Sequence, residues 1–219
     1  MNRYVELDRF TGFLKYFRND PMWIAMKEMS ENSEWHRETN VAVHTEMMLD
    51  WYIANQLPWV SDRHQRLTLM AITFHDVGKP PCRKWSEEKG RFHSAGHEAK
   101  SAKMWRAWAE SHVSAREALG VDRFDVDTIE LMIYRHVPFG FVNNERLELL
   151  KLKLHFYSAK RAFLDLIITD QFGRISDDHQ TRLDEVFKWL DNVWTPTFPP
   201  NVENDYGRYP RVIMERLNE

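Results

Sequence analysis

Several things are scarce in this chain, and each scarcity removes a class of protein. Its 219 residues hold one cysteine, Cys82, so no disulfide can form within the chain and a reducing compartment is expected. No apolar run approaches the ~20 residues that a membrane-spanning helix needs. The opening "MNRYVELDRF" is polar and charged where a secretory leader would be apolar. No signal peptide is therefore expected, and the expected location is the cytoplasm. An excess of one charge sign is also missing: 30 basic residues face 33 acidic ones, a net charge of -3. That balance does not indicate a large surface for coating nucleic acid and still allows a local basic pocket. Repeats and low-complexity tracts are lacking, and alternating strand patterns are nearly so. Hydrophobic residues make up 43% and charged ones 29%, the mix of a globular chain long enough for one sizeable core.

What is present is helical periodicity almost throughout, which predicts an all-α fold. Residues 5–18 and 21–30 read as two short helices, the second opened by Asp20-Pro21. A longer helix runs from Thr39 or Asn40 to about Leu57, before Pro58, with an expected inner face of His44, Met47, Met48, Trp51 and Asn55. Ser61 is a good N-cap for the next helix, whose apolar stripe is Leu67, Met70, Ala71 and Phe74. Gly78 suits the position just past the end of that helix, and Pro80 argues against its continuation. Residues 79–93 read as a basic loop. Ser94 can cap a helix over "AGHEAKSAKMWRAWAESHV", and Asp125 or Asp127 can open another that ends near "YRHVP". Helices are also expected near 143–155, 158–172 and 177–193, followed by a Pro-rich irregular tail.

Metal-type side chains recur on five successive helices. His44 lies mid-helix, His75 and Asp76 lie in a last turn, His97 in a first turn, His136 in a last turn, and Asp170 three residues before a glycine. Imidazole and carboxylate suit divalent transition metals, and ligands drawn from separate helices make a rigid cage. Adjacent residues point about 100° apart on a helix, so His75 and Asp76 converge only where the helix ends. A carboxylate can bridge two ions, which makes Asp76 the natural bridge of a two-metal site. Taken singly, each residue is weak. About one His-Asp dipeptide is expected by chance, and a lone His44 is more often a satisfied core histidine. His93, His112, His155 and His179 lack such company and read as surface or boundary residues. Trp105 and Trp108, three apart on one helix, read as core, while Trp85 is a candidate for stacking on a base.

The ordered set resembles the metal-binding signature of the HD-domain phosphohydrolases: His44, then His75-Asp76, then Asp170. "HDVGKP", "GRFHSAGHEAKSA", "YRHVP" and "TDQFGR" together are similar to the HD portion of bacterial tRNA CCA-adding enzymes, over about residues 39–175. Residues 1–38 and 176–219 have no counterpart there and are expected to form an N-terminal helical extension and a C-terminal helix with a Pro-rich tail. No nucleotidyltransferase half is visible, so CCA addition is not expected. Val77 stands where the family usually has isoleucine.

The resemblance implies a helical bundle of the HD type. His44, His75, Asp76 and Asp170 would hold a first ion, and His97 and His136 a second, with Asp76 bridging. One or two ions of Mn, Ni, Co, Fe, Mg or Zn are the implied cofactors. Lys79 would contact phosphate and act with Asp76 in catalysis. Arg83, Arg91, Arg135 and Arg174 flank the ligands and suit a phosphorylated substrate, whereas Lys84 and Lys89 read as solvated loop charges. The implied activity is that of a 2′,3′-cyclic phosphodiesterase, 2′-nucleotidase or phosphatase on a nucleotide or RNA terminus. The alternatives are a 5′-nucleotidase, a dNTPase, a cyclic-nucleotide phosphodiesterase, or a non-catalytic nucleotide-binding module. No membrane partner is expected.

Overall fold

The helix starts are set by short polar side chains. Asp20 accepts from the Met22 amide at 2.8 Å, Ser61 from His64 at 3.2 Å and Asp122 from Asp125 at 2.7 Å. Each satisfies an amide that the first turn leaves without a partner. The computed structural model describes residues 3–31, 37–55, 61–136 and 157–175. Among these the chain is mainly helical: α1 (Arg3–Phe17), α2 (Pro21–Glu28), α3 (Val41–Asn55), α4 (Asp62–Phe74), α5 (Lys79–Cys82), α6 (His97–Ser111), α7 (Val113–Ala118), α8 (Arg123–Arg135) and α9 (Tyr157–Phe172). A small antiparallel hairpin, β1 (Lys84–Ser86) and β2 (Arg91–His93), lies between α5 and α6. No helix among the described residues is long and apolar enough to cross a membrane. The expected helices near 143–155 and 177–193, the Pro-rich tail, His155 and His179 lie outside the described residues.

Helix α4 is the axis of the fold. It packs against α1, α3, α6, α8 and α9. It is buried all round from Leu67 to Phe74, a wider surface than the single stripe its periodicity predicts. A helix surrounded on every side has no solvent face to keep polar. Helices α1 and α2 join the same core through aromatics: Phe17 meets Phe74 at 4.7 Å between ring centroids, and Phe74 meets Trp105 at 4.9 Å. Burying a side chain such as Phe17 contributes about 1.5–3 kcal/mol. Trp105 and Trp108 are core residues, as their spacing predicts.

Five local expectations are corrected. The buried face of α3 is Val41, His44, Thr45, Met48, Leu49 and Tyr52. Met47, Trp51 and Asn55 are only half-buried, because α3 is pressed between α2, α4 and α9 and turns its face toward all three. Residues 79–93 are not a plain loop but α5 and the hairpin. Helix α6 starts at His97 behind Gly96 rather than at Ser94, and α8 is capped by Asp122 rather than by Asp125 or Asp127.

Gly78 is the fifth. It does not take the left-handed conformation of a helix-ending glycine; its φ of -83° and ψ of -11° are right-handed, and α5 begins directly after it with Pro80 in its first turn. Its lack of a side chain serves packing. A Cβ there would lie 2.5 Å from the His97 carbonyl oxygen and 2.5 Å from the Ser101 amide nitrogen. The Gly78 amide donates to Ser101 Oγ at 2.8 Å. The end of α4 and the start of α6 are thereby held in backbone contact.

Candidate metal centre

The described structure brings all six sequence-predicted ligands together. His44 comes from the middle of α3, His75 and Asp76 from the turn after α4, His97 from the first turn of α6, His136 from the end of α8 and Asp170 from the last turn of α9. His44, His75, Asp76, His136 and Asp170 are buried, and His97 is nearly so.

The imidazoles are oriented by one device. The Nδ1 of His75 faces the Ile72 carbonyl oxygen at 2.7 Å, that of His136 faces Ile133 at 2.6 Å and that of His97 faces Ser94 at 2.9 Å. Each carbonyl lies three residues back, at a helix end or start where backbone groups lack intrahelical partners. The Nδ1 of His44 reaches the Gly173 carbonyl at 2.9 Å. A carbonyl oxygen only accepts, so each Nδ1 carries the proton. In the neutral ring, each Nε2 is then a bare lone pair turned inward.

Those lone pairs meet one another and carboxylate oxygens. His97 Nε2 lies 3.3 Å from His136 Nε2, 3.1 Å from Asp76 Oδ1, and the His136–Asp76 distance is 3.7 Å. All three atoms are acceptors. Asp76 Oδ1 and His75 Nε2 are accordingly buried without a hydrogen bond. Asp76 Oδ2 turns the other way, 3.2 Å from His75 Nε2 and 3.9 Å from His44 Nε2. Asp170 Oδ1 completes that side at 3.1 Å from His44 and 4.0 Å from His75. Two triads have ligand atoms close enough to hold an ion: His44, His75 and Asp170, and His75, Asp76 and His136. The two oxygens of Asp76 thus face two neighbouring groups of donors.

The electrostatics favour a cation. Burial opposes ionisation of Asp76, but the His75 imidazole and the Lys79 ammonium outweigh it and hold the carboxyl well below its ordinary range. Asp170 is likewise held low against burial, by Arg174 and His44. Burial also opposes charge on His44. Hydrogen bonds to Asp170 and Glu38 overcome it and raise the imidazole to about 9. Without a metal, the group therefore keeps a proton where positive charge is needed.

Lys79 is buried, its Nζ 2.8 Å from Asp76 Oδ2 and 3.1 Å from Glu31. Burial lowers its pKa, but the two carboxylates prevail and raise it to about 12. Arg174 is folded onto Asp170, donating to its Oδ2 at 2.5 Å and to its carbonyl at 3.0 Å. Arg83 donates to the Ser30 carbonyl at 3.2 Å, and Arg91 is exposed on β2. The Arg135 guanidinium lies over the Tyr134 ring, 4.8 Å from its centroid.

Sequence reasoning missed Glu31 and Glu38. Glu38, fully buried, lies 3.2 Å from His44 Nδ1. Both belong to the N-terminal segment outside the resemblance, and neither sits on a periodic face. The one local hint is an acid placed just before a histidine-bearing helix. His64 is also buried, 2.5 Å from Asp165. From the sequence, Gly173 is only a neighbour of Asp170. A Cβ on it would meet Met48 Cγ at 2.2 Å, and its carbonyl orients His44. No protein-family model, curated protein or solved structure matches this chain.

Proposed function

We propose that this chain is a metal-dependent phosphohydrolase of the HD-domain type, acting on a nucleotide or RNA-end phosphate. The favoured activities are 2′,3′-cyclic phosphodiesterase, 2′-nucleotidase and phosphatase. The observation that carries the reading is the facing pair of imidazole nitrogens: His97 Nε2 and His136 Nε2, 3.3 Å apart, with Asp76 Oδ1 beside them. Three acceptors, two buried and one nearly so, repel when turned toward one point unless a cation lies among them.

The residues fit such ions. His44, His75, Asp170 and one oxygen of Asp76 would hold one, and His97, His136 and the other oxygen of Asp76 a second. Divalent ions held there would supply Lewis acidity for activating water and offsetting phosphoryl charge. The protein's own contribution is orientation. The carbonyls of Ile72, Ile133, Ser94 and Gly173 fix the imidazoles, Arg174 fixes Asp170, and Glu38 supports His44. Lys79 places a permanent positive charge beside Asp76, where it can serve a developing phosphoryl charge. Arg83, Arg91 and Arg135 remain candidates for the rim.

The test is a panel of 2′,3′-cyclic, 2′-, 3′- and 5′-nucleotides with Mn, Ni, Co and Mg. Turnover of cyclic and 2′ substrates supports the favoured activities. Turnover of 5′-phosphates alone moves the reading to a 5′-nucleotidase or dNTPase. No metal uptake and no turnover would leave a non-catalytic module.

A further inference from the structure

We propose that the β1–β2 hairpin is a stacking platform for single-stranded nucleic acid beside the metal centre. The inference rests on the proposed function only for its choice of a phosphate-bearing ligand; the platform itself is read from the hairpin. Trp85 and Phe92 are cross-strand partners in register, their centroids 5.1 Å apart at 73°. They remain 49% and 53% exposed. A cross-strand aromatic pair stabilises a hairpin, but that role does not require both rings to stay half in water. The Arg83 guanidinium lies 4.4 Å from the Phe92 centroid, so a cation and two rings form one surface.

Charge points to the ligand. Lys84, Lys89 and Arg91 are exposed along the same hairpin. Glu87 and Glu88 share the turn with Lys89, while Lys84 and Arg91 carry positive charge on the strands. A two-stranded ribbon is one layer thick, so charges on either face act within the ~8 Å Debye length of a strand lying on the rings. Bases stack on aromatic faces without regard to sequence, while lysine and arginine follow the phosphates. The net charge of -3 gives the chain as a whole no general attraction for a polyanion, so the contact proposed is local.

Position joins the platform to the site. β1 starts two residues after Cys82, where α5 ends, and α5 begins with Lys79, which is paired to Asp76. β2 ends one residue before Ser94, whose carbonyl orients His97. Arg83 also ties the base of the hairpin to Ser30, next to Glu31. A strand held on the rings would therefore have its end near the buried ligands.

The test uses the full-length protein and a fluorescein-labelled oligoribonucleotide, with an oligodeoxyribonucleotide as a second arm, read by anisotropy in EDTA so that no hydrolysis intervenes. Binding is expected with a log–log salt slope of about -2, from three basic residues on a single strand. The double variant Trp85→Ala/Phe92→Ala should weaken binding about ten-fold or more. Trp85→Phe, which keeps a ring, should retain most of it. Preference for RNA and equal binding of both strands each support the platform. It is overturned if the parent does not bind either strand in the micromolar range, as for a surface that docks protein. It is also overturned if the ring-less variant binds as the parent does. Ring-dependent binding with no hydrolysis under any metal would sink the proposed function and leave the platform standing.

Discussion

Replacing Gly78 by alanine adds one methyl group at the point where two ligand-bearing segments touch. The new carbon would sit 2.5 Å from the His97 carbonyl oxygen and the Ser101 amide, and 2.8 Å from Ser101 Oγ. Backbone atoms cannot turn aside as a side-chain tip can, so the end of α4 and the start of α6 must part by roughly an ångström. Overpacking of this kind costs about 1–3 kcal/mol, which for a chain of this size lowers the melting temperature by about 2–12 °C. The same movement separates Asp76 Oδ1 from His97 Nε2, now 3.1 Å apart, and breaks the 2.8 Å bond from the Gly78 amide to Ser101. Affinity at the His97–His136 side should fall about ten- to hundred-fold, the usual effect of disturbing a ligand's support. Of His44, His75 and Asp170, only His75 lies at the end of α4, while α3 and α9 carry the other two, so that group should be disturbed less. Thermal melting with and without Mn, and calorimetric titration with Mn, read both effects. A variant that melts with the parent and binds ions unchanged would show that Gly78 is not the packing joint described.

Three further outcomes follow from the site. Asp76→Asn removes the charge that faces both donor groups and Lys79; metal-free stability should fall by about 3 kcal/mol in urea, and metal uptake and hydrolysis should be lost. Retention of two ions at parental affinity would rule out the bridging role. Glu38→Gln should weaken the ion held by His44 about ten- to hundred-fold while leaving the His97–His136 side unchanged in the same titration. Finally, His44 in the metal-stripped protein is raised from 6.5 to about 9 by Asp170 and Glu38 against the opposing effect of burial. The folded state binds this proton more tightly, so its stabilisation is complete below pH 6.5 and is lost as pH rises through about 9. Melts of stripped protein should decline over that window, and a flat profile would contradict the His44 environment.

Much of the candidate site was legible because histidine and carboxylate are common ligands of divalent metals, and because helix ends are marked by capping residues and proline. His75, Asp76, His97 and His136 all lie at such ends, and the structure brings them together with His44 and Asp170. What escaped the sequence depends on three-dimensional neighbours. Gly78 looked like a helix stop, yet its need for glycine comes from the backbone of α6, 19 residues further on at His97. The face of α3 was misjudged because periodicity shows that a helix is amphipathic and not how many neighbours it has. Glu31 and Glu38 could not be read as site residues, since their partners Lys79 and His44 reach them through folding alone. The hairpin was hidden because strands of three residues carry too little alternation to register.

The central claim is that buried imidazole and carboxylate groups converge on a pair of ions bridged by Asp76. A crystal of the full chain soaked in Mn, with anomalous difference density measured above and below the Mn edge, tests it most directly. Two peaks are predicted, one bounded by His97, His136 and Asp76, the other by His44, His75, Asp76 and Asp170. Density elsewhere on the surface, with none among these six side chains, would contradict the account.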